Sequence, residues 1–361
     1  MSSLVIENCR RASAGPFELD PLRDPRWSEF VEQHPDASVF HSTGWLEALR
    51  RTYGYEPLVV TTSGEDEPLT NSILLCKVRS SVTGSRLVSL PFSDHCEPLV
   101  DNRRELEVLL AFLKTGIKYG RYRYLEIRPL RASNSAILST CLERDETNCI
   151  HHLDLNPSLD ELFRKFHKSC VQRKIQKAER AGLLYEQGRS EELLSKFYKL
   201  LLLTRRRHKL PPQSKSWFRN VVDCLGDKVK IRVVSKDGQP VASIITTQFR
   251  DTAVYKYGCS DAHYHHIGGT FLLMWRAIQD AKASGASCFD FGRSERDNEG
   301  LVTFKAHWGS TESPLPYVRY PAGMTTTAQS DWKMRVIQKM CPYLPDPLFE
   351  RLGGLLYKHI G

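Results

Sequence analysis

None of the ten cysteines, which run from Cys9 to Cys341, belongs to a Cys-x-x-Cys pair. That absence excludes a zinc ribbon and a thioredoxin-type redox motif. No uncharged run approaches the ~18–20 residues that a membrane-spanning helix needs. The start, Met1-Ser-Ser-Leu-Val-Ile-Glu7, offers no apolar leader. The expectation is a cytoplasmic protein with reduced thiols, working in the cytoplasm or at a membrane surface. There is no Gly-x-Ser-x-Gly elbow, no phosphate-binding Walker loop and no Gly-x-Gly-x-x-Gly fingerprint. Hydrolase and nucleotide-fold chemistries lose their usual signals. Direct transfer of a group between two bound substrates needs none of them. It needs orientation, a proton acceptor and an oxyanion donor.

What is present is a chain of 361 residues, long enough for two domains. The net charge is +9. Asp160 to Lys209 holds fourteen Lys/Arg against six Asp/Glu, which is nearly the whole excess. So local a basic segment suits an anionic partner: a phosphorylated cofactor, a nucleotide-linked substrate, tRNA or acidic lipid. A solvated helix face is the plainer alternative.

The two halves repeat one order of elements. In the first, Ser42–Arg51 has a helical apolar face with Trp45, Ala48 and Leu49. Strands are expected at Leu58–Thr62, Ile73–Val78 and Arg86–Leu90, then a helix at Glu105–Lys118 and a strand at Tyr122–Ile127. In the second, Ser158 and Glu161 form a capping box that opens a helix to about Ala181, stopping at Gly182. A further helix spans about Glu191 to Arg207 and ends before Pro211-Pro212. Strands Val229–Ser235 and Val241–Phe249 flank the turn Lys236-Asp-Gly-Gln-Pro240, a hairpin signal. A third strand, Ala253–Gly258, is followed by a helix from about Gly269 to Ser284, a strand at Cys288–Phe291 and a short helix near Leu301–Trp308. Strand–strand–strand–helix–strand therefore occurs twice. A right-handed crossover would set the strands on either side of the main helix parallel and adjacent.

Four motifs carry candidate chemistry. In His263-Tyr-His-His-Ile-Gly-Gly-Thr270 a strand leads into a helix, where Gly268, Gly269 and Thr270 could let the backbone reach a phosphate. A tight turn would use the same glycines. Two of its three histidines are adjacent, poor geometry for a shared ion, so no metal is assigned. In Phe289-Asp-Phe-Gly-Arg-Ser294, strand alternation turns Asp290 away from the aromatics. Asp290 and Arg293 could orient an amine or a phosphate, or form a structural pair. In Phe304-Lys-Ala-His-Trp-Gly309, Lys305 shares a helix face with Trp308 and could stabilise an oxyanion. In the basic stretch after Lys168, Arg173, Lys177 and Arg180 recur at helical spacing, fit for a diphosphate or an RNA backbone. Aromatics lie outside this segment rather than within it, which disfavours a dedicated RNA-binding protein.

In order, Phe40-His-Ser-Thr-Gly-Trp-Leu-Glu-Ala-Leu49, Leu90-Pro-Phe-Ser-Asp-His95, Arg173–Glu179, Phe289–Ser294 and Phe304–Gly309 resemble the FemAB-like branch of the GNAT superfamily, including BioF2-like acetyltransferase domain proteins. The end of the chain, Leu352–Ile360, is similar to tails of FemAB-like proteins from bacterial exopolysaccharide and exosortase loci. The resemblance implies an α/β (α+β) architecture of two tandem GNAT-like domains, at 1–148 and 149–322, with mixed sheets flanked by helices and a helical tail at 323–361. It implies acyl or aminoacyl transfer to an amine of a cell-envelope precursor or amino sugar, with the working site chiefly in the second half. The donor would be acyl-CoA or aminoacyl-tRNA, with no tightly bound cofactor. The acceptor would be a small molecule or nucleotide-linked. Gly268, Gly269 and Thr270 fall where CoA pyrophosphate is held. Lys305 falls on a lysine tied to the transition state, and Arg173 on a basic residue that binds substrate phosphate. Beside them, Asp290 is a further candidate catalytic residue, and Lys177, Trp45, Arg293 and Trp308 are further candidate substrate-binding residues. A tRNA and an anionic membrane are further candidate partners, and specific DNA binding is not expected. The alternative is a GNAT fold without catalysis that binds RNA or a membrane surface. The tail after Leu348 is expected to dock as a helix or to lie on such a surface.

Overall fold

The computed structural model describes residues 15–80, 84–139, 142–321 and 343–360. The first part of the expected tail, 323–342, lies outside them.

The first half builds β1 (Phe17–Leu19), α1 (Pro25–Gln33), α2 (Thr43–Tyr53), β2 (Glu56–Thr61), β3 (Ile73–Ser80), β4 (Gly84–Ser89), α3 (Arg103–Lys118), β5 (Leu125–Ile127), α4 (Ala132–Ser139) and β6 (Glu143–Asp145). Ser42 caps α2 through its Oγ, 3.3 Å from the Trp45 N–H, and Gly54 ends it in the left-handed conformation. The second half builds β7 (Asn148–Asp154), α5 (Leu159–Lys165), α6 (Arg173–Arg180), β8 (Leu184–Gly188), α7 (Glu191–Arg207), α8 (Lys215–Leu225), β9 (Val229–Lys236), β10 (Gln239–Phe249), β11 (Thr252–Ser260), α9 (Gly269–Ala283), β12 (Cys288–Glu295), α10 (Glu299–Ala306), β13 (Thr311–Pro314) and β14 (Tyr317–Tyr320). A last helix, α11, covers Asp346–Ile360.

Two seven-stranded sheets run β1-β2-β3-β4-β5-β14-β6 and β13-β7-β12-β11-β10-β9-β8. In each, the strands before and after the main helix are parallel neighbours: β4 with β5, and β11 with β12. The other paired strands are antiparallel. The expected hairpin is β9–β10, with both Asp237 and Gly238 at positive φ as a two-residue I′ turn requires. The sheets also exchange material. β14, near the far end of the second half, inserts between β5 and β6 of the first sheet.

One expected helix is broken. The helix opened by the Ser158–Glu161 capping box stops at Lys165. Phe166 turns extended and is buried against Trp275 and Trp308. A π-helical turn at Lys168–Gln172 then leads into α6. Periodicity alone joined the pieces because the apolar positions keep helical spacing across the break.

The halves meet through a shared core. Trp45 of α2 stands edge-on to Trp217 of α8, with ring centroids 5.4 Å apart. A Cβ on Gly44 would lie 2.5 Å from the Cys224 carbonyl oxygen, so only glycine lets these helices approach so closely. α11 braces the same region. Phe349 is fully buried, beneath the Arg206 guanidinium. The Tyr55 hydroxyl donates to the Tyr357 carbonyl at 2.8 Å. A Cβ on Gly353 would fall 1.9 Å from the Pro212 carbonyl oxygen. The tail is thus a docked helix touching both halves, and its Gly353 is a packing requirement.

Candidate acyl-transfer site between the halves

β11 and β12 pair only from Thr252–Val254 to Cys288–Asp290. Beyond that point β12 shifts register against β7, between Asp290 and Arg293, and Gly292 takes φ +72°. This bulge is where the first half enters. A Cβ on Gly292 would stand 3.2 Å from both Asp94 Oδ2 and the Tyr255 carbonyl oxygen. Glycine here admits the loop carrying Leu90–His95.

Three sets of polar groups converge on the bulge. Lys256 Nζ donates to Asp94 Oδ1 at 2.9 Å, within reach of the faces of Phe40, Trp45 and Tyr257. Burial pulls its pKa below the ordinary lysine value, with Asp94 opposing. The Tyr317 hydroxyl donates to the Asp94 carbonyl at 2.7 Å, which fixes the loop. Lys305 Nζ donates to the carbonyls of Gly292 (2.6 Å) and Arg293 (3.0 Å). It is only 2% exposed, and burial lowers its pKa to about 8.

Asp290 is the centre. It is 1% exposed, and its Oδ1 accepts the Gly292 N–H at 2.6 Å. Its Oδ2 faces His95 Nε2 at 3.6 Å and His152 Nε2 at 3.9 Å, both beyond hydrogen-bonding distance. Among the described residues this oxygen has no hydrogen-bond partner. Burial pushes the carboxyl's pKa up, but the two imidazoles and the Gly292 N–H outweigh it. The net pKa lies below the ordinary value, so the carboxylate stays ionised. Asp290, His95 and His152 line a cleft of ≈ 280 Å³ between the halves. Glu97 shapes its wall, accepting from the Arg131 N–H at 2.8 Å, the Leu130 N–H and Asn134 Nδ2 at 2.6 Å.

A second cavity, of ≈ 230 Å³, lies at the start of α9 and is lined by Gly268, Gly269, Thr270, Lys174, His265 and Phe304 among others. Both glycines are demanded by packing. A Cβ on Gly268 would meet the Lys174 carbonyl oxygen at 2.7 Å, and one on Gly269 would meet Val234 at 3.0 Å. The cavity still combines a helix N-terminus with a lysine, a fit for an anionic group.

Several sequence expectations change. The site is not chiefly in the second half, because Asp94 and His95 come from the first. Trp45 and Trp308, expected at substrate, are both fully buried in the cores, where their indoles stand against Trp217 and Phe166. Arg173 and Lys177 are exposed on α6, while Lys174 is the α6 cation that reaches the cavity. Arg293 donates to Asn148 Oδ1 at 3.0 Å. Sequence reasoning missed Lys256, His152 and Lys174 as site residues. Lys256 left a trace, a lysine between Tyr255 and Tyr257 in an otherwise apolar strand. So did His152 in the alternation of Ile150-His-His-Leu153.

Residues 165–305 match the family model described as an acetyltransferase (GNAT) domain. The chain carries a GNAT domain. FemX superposes with a TM-score of 0.66 at 15% identity, covering 84% of this chain and 97% of its own. A C-terminal domain of a putative lysylphosphatidylglycerol synthetase from Agrobacterium fabrum gives 0.56 at 14% identity, covering 85% and 94%. A tandem GNAT protein from the clavulanic acid biosynthesis pathway gives 0.54 at 12% identity, covering 86% and 99%. At these identities the likeness is one of fold. No curated protein matches the chain in sequence. The chain thus has a fold like that of FemX and the tandem GNAT protein, with residues 165–305 matching an acetyltransferase (GNAT) domain. GNAT domains take acyl-CoA as donor. No described helix is long and apolar enough to cross a membrane.

Proposed function

We propose that the protein transfers an acetyl or aminoacyl group to a primary amine of a cell-envelope precursor or amino sugar, with the amine seated in the cleft between the halves. The observation that carries this reading is the unpartnered, ionised Oδ2 of Asp290, facing two imidazoles and a cleft. A buried carboxylate oxygen without a donor is costly unless a substrate N–H completes it.

In this reading the acceptor ammonium binds Asp290, and His95 or His152 removes one proton. The free amine attacks the donor carbonyl, forming the new C–N bond. The C–S bond to CoA, or the C–O ester bond of an aminoacyl-tRNA, then breaks, the imidazolium returns its proton to the leaving group, and the nitrogen loses its second proton to solvent, so that a neutral amide forms with one net proton released. Asp290 stabilises the imidazolium formed between these steps. Lys305, expected as an oxyanion donor, acts here by holding the Gly292 and Arg293 carbonyls and thus the bulge that aims Asp290. The donor phosphates would lie at Thr270 and Lys174. The exposed stripe of Arg173, Lys177 and Arg180 supports an anionic extension of the donor or acceptor.

The test pairs acetyl-CoA, and separately aminoacyl-tRNA, with a panel of amino sugars and amine-bearing envelope precursors. Product is followed by mass spectrometry. Acylated amine with wild type and none with Asp290→Asn is expected. Full turnover by Asp290→Asn, or no product with any pair, would reject the reading.

A further inference from the structure

Among the described residues, three side chains with metal-binding atoms meet away from the transfer site: His167, Cys170 and His307, with one donor atom of each within 4.8 Å of the others. We infer that they form a site for a zinc-class divalent cation, joining the turn before α6 to the end of α10.

The geometry is prepared on both sides. The break after α5 leaves His167 capping the π-helical turn, its Nδ1 accepting the Cys170 N–H at 3.2 Å. Ser169 Oγ lies 3.4 Å from that Nδ1 and 3.8 Å from Cys170 Sγ, so the ring and the thiol stand side by side, and with Nδ1 held by the Cys170 N–H the ring's other nitrogen, Nε2, is the one left for an ion. His307 follows α10 as its cap residue. The two segments are tied at this point, for the His167 N–H donates to the His307 carbonyl at 2.8 Å. Their rings stand 4.4 Å apart, centroid to centroid, with planes at 49°. Tetrahedral coordination by nitrogen and sulfur needs donor atoms about 3.3–3.8 Å apart. The three donor atoms, within 4.8 Å of one another, therefore close by about 1 Å or a little more when an ion binds.

The donor set selects the ion. Two imidazoles and a thiolate suit zinc, cobalt or nickel, whereas calcium and magnesium demand oxygen ligands. His167 is exposed and the other two are half-buried, so solvent can supply the fourth ligand. Binding converts the Cys170 thiol to a thiolate and releases its proton to solvent. The thiolate offsets part of the ion's charge beside Lys174, whose charge acts on His307. The ion would fasten α10, which carries Lys305, to the turn that leads into α6. This inference does not depend on which group the enzyme transfers.

The test uses the full chain stripped of metal and titrated with Co²⁺ alone, then Zn²⁺. Expected are a thiolate-to-cobalt charge-transfer band that saturates at one equivalent, uptake coupled to proton release, and loss of the band when Zn²⁺ is added. Cys170→Ser should abolish the band, and His307→Asn should weaken Co²⁺ binding at least tenfold, with circular dichroism unchanged. His263→Ala, in the other histidine cluster, should bind as wild type does. Absence of the band at saturating Co²⁺, unchanged binding by Cys170→Ser, or loss of binding by His263→Ala would overturn the inference.

Discussion

Glu126 and Asp290 occupy matching places in the two sheets. Each lies on the strand after the main helix, and each pairs in parallel register with a valine, Val88 or Val254. Glu126 is saturated. Arg128 Nε donates to its Oε1 at 2.8 Å and Arg319 Nε to its Oε2 at 2.7 Å. Arg319 arrives on β14, the strand that crosses over from the other half. Asp290 meets no arginine, and its Oδ2 looks across to two histidines. One fold thus carries a carboxylate closed off by charge and one with an oxygen that accepts no hydrogen bond among the described residues.

The sharpest break of this comparison is Asp290→Asn. It should leave the fold intact and lower turnover about a thousandfold, because the amine loses its anchor and the imidazolium its counter-charge. Glu126→Gln should do the reverse. It leaves Arg128 and Arg319 without their buried counter-charge, at a cost of about 3 kcal/mol in unfolding free energy, while kcat of the folded fraction stays near wild type. If denaturant titration and steady-state kinetics gave the two variants the same signature, the contrast would fail.

His41 sharpens the difference between a sealed histidine and an open one. It is fully buried, with Nε2 on the Glu97 carbonyl at 2.9 Å and Nδ1 accepting the Ser38 N–H at 3.1 Å. Burial first, with nearby His95 and His34, lowers its pKa from 6.5 to about 4. Above pH 6.5 both folded and unfolded chains keep it neutral. Between 6.5 and about 4 only the unfolded chain takes up the proton, so stability falls as pH falls. The contribution should approach about 3 kcal/mol at the acid end. His41→Gln should flatten that slope in denaturant titrations from pH 7 to 4.5, and an unchanged slope would remove His41 as its cause.

Lys305→Ala tests the bulge itself. Turnover should fall about a hundredfold with the fold retained, and mainly in kcat, since the change misaims Asp290. Unaltered turnover in the purified variant would show that the bulge holds without the lysine. The smallest effect is expected at Arg173→Ala, a few-fold rise in KM for a phosphate-bearing substrate with little change in kcat. An identical KM across several such substrates would leave the exposed α6 stripe as a solvated face.

Much of the fold was legible because its signals are local. The Ser158–Glu161 capping box, the Asp237-Gly238 turn and the apolar spacing of Glu105–Lys118 each depend on a few neighbouring residues. α8 carried equal signals, with Ser214 as cap and Trp217, Phe218, Val221 and Val222 at helical spacing, yet it stayed unread between the prolines and the next strand. The site was legible only in part. Strand alternation was enough to turn Asp290 away from the aromatics, whereas nothing local showed that Trp45 and Trp308 are core residues, because an aromatic looks alike in a core and in a binding cleft until its neighbours are known.

The sequence by itself determined most of the helices and strands, the two parallel strand pairs and the side of β12 on which Asp290 stands. Periodicity and turn chemistry act over a few residues and need no partner. Tertiary structure alone decided that His95, His152 and Asp290 share one cleft, that Arg319 crosses from the far end of the second half to quench Glu126, and that Gly353 must yield to the Pro212 carbonyl. These contacts join residues tens to hundreds of positions apart. Their partners are fixed by sheet register and by the packing of the halves, and no local pattern encodes either.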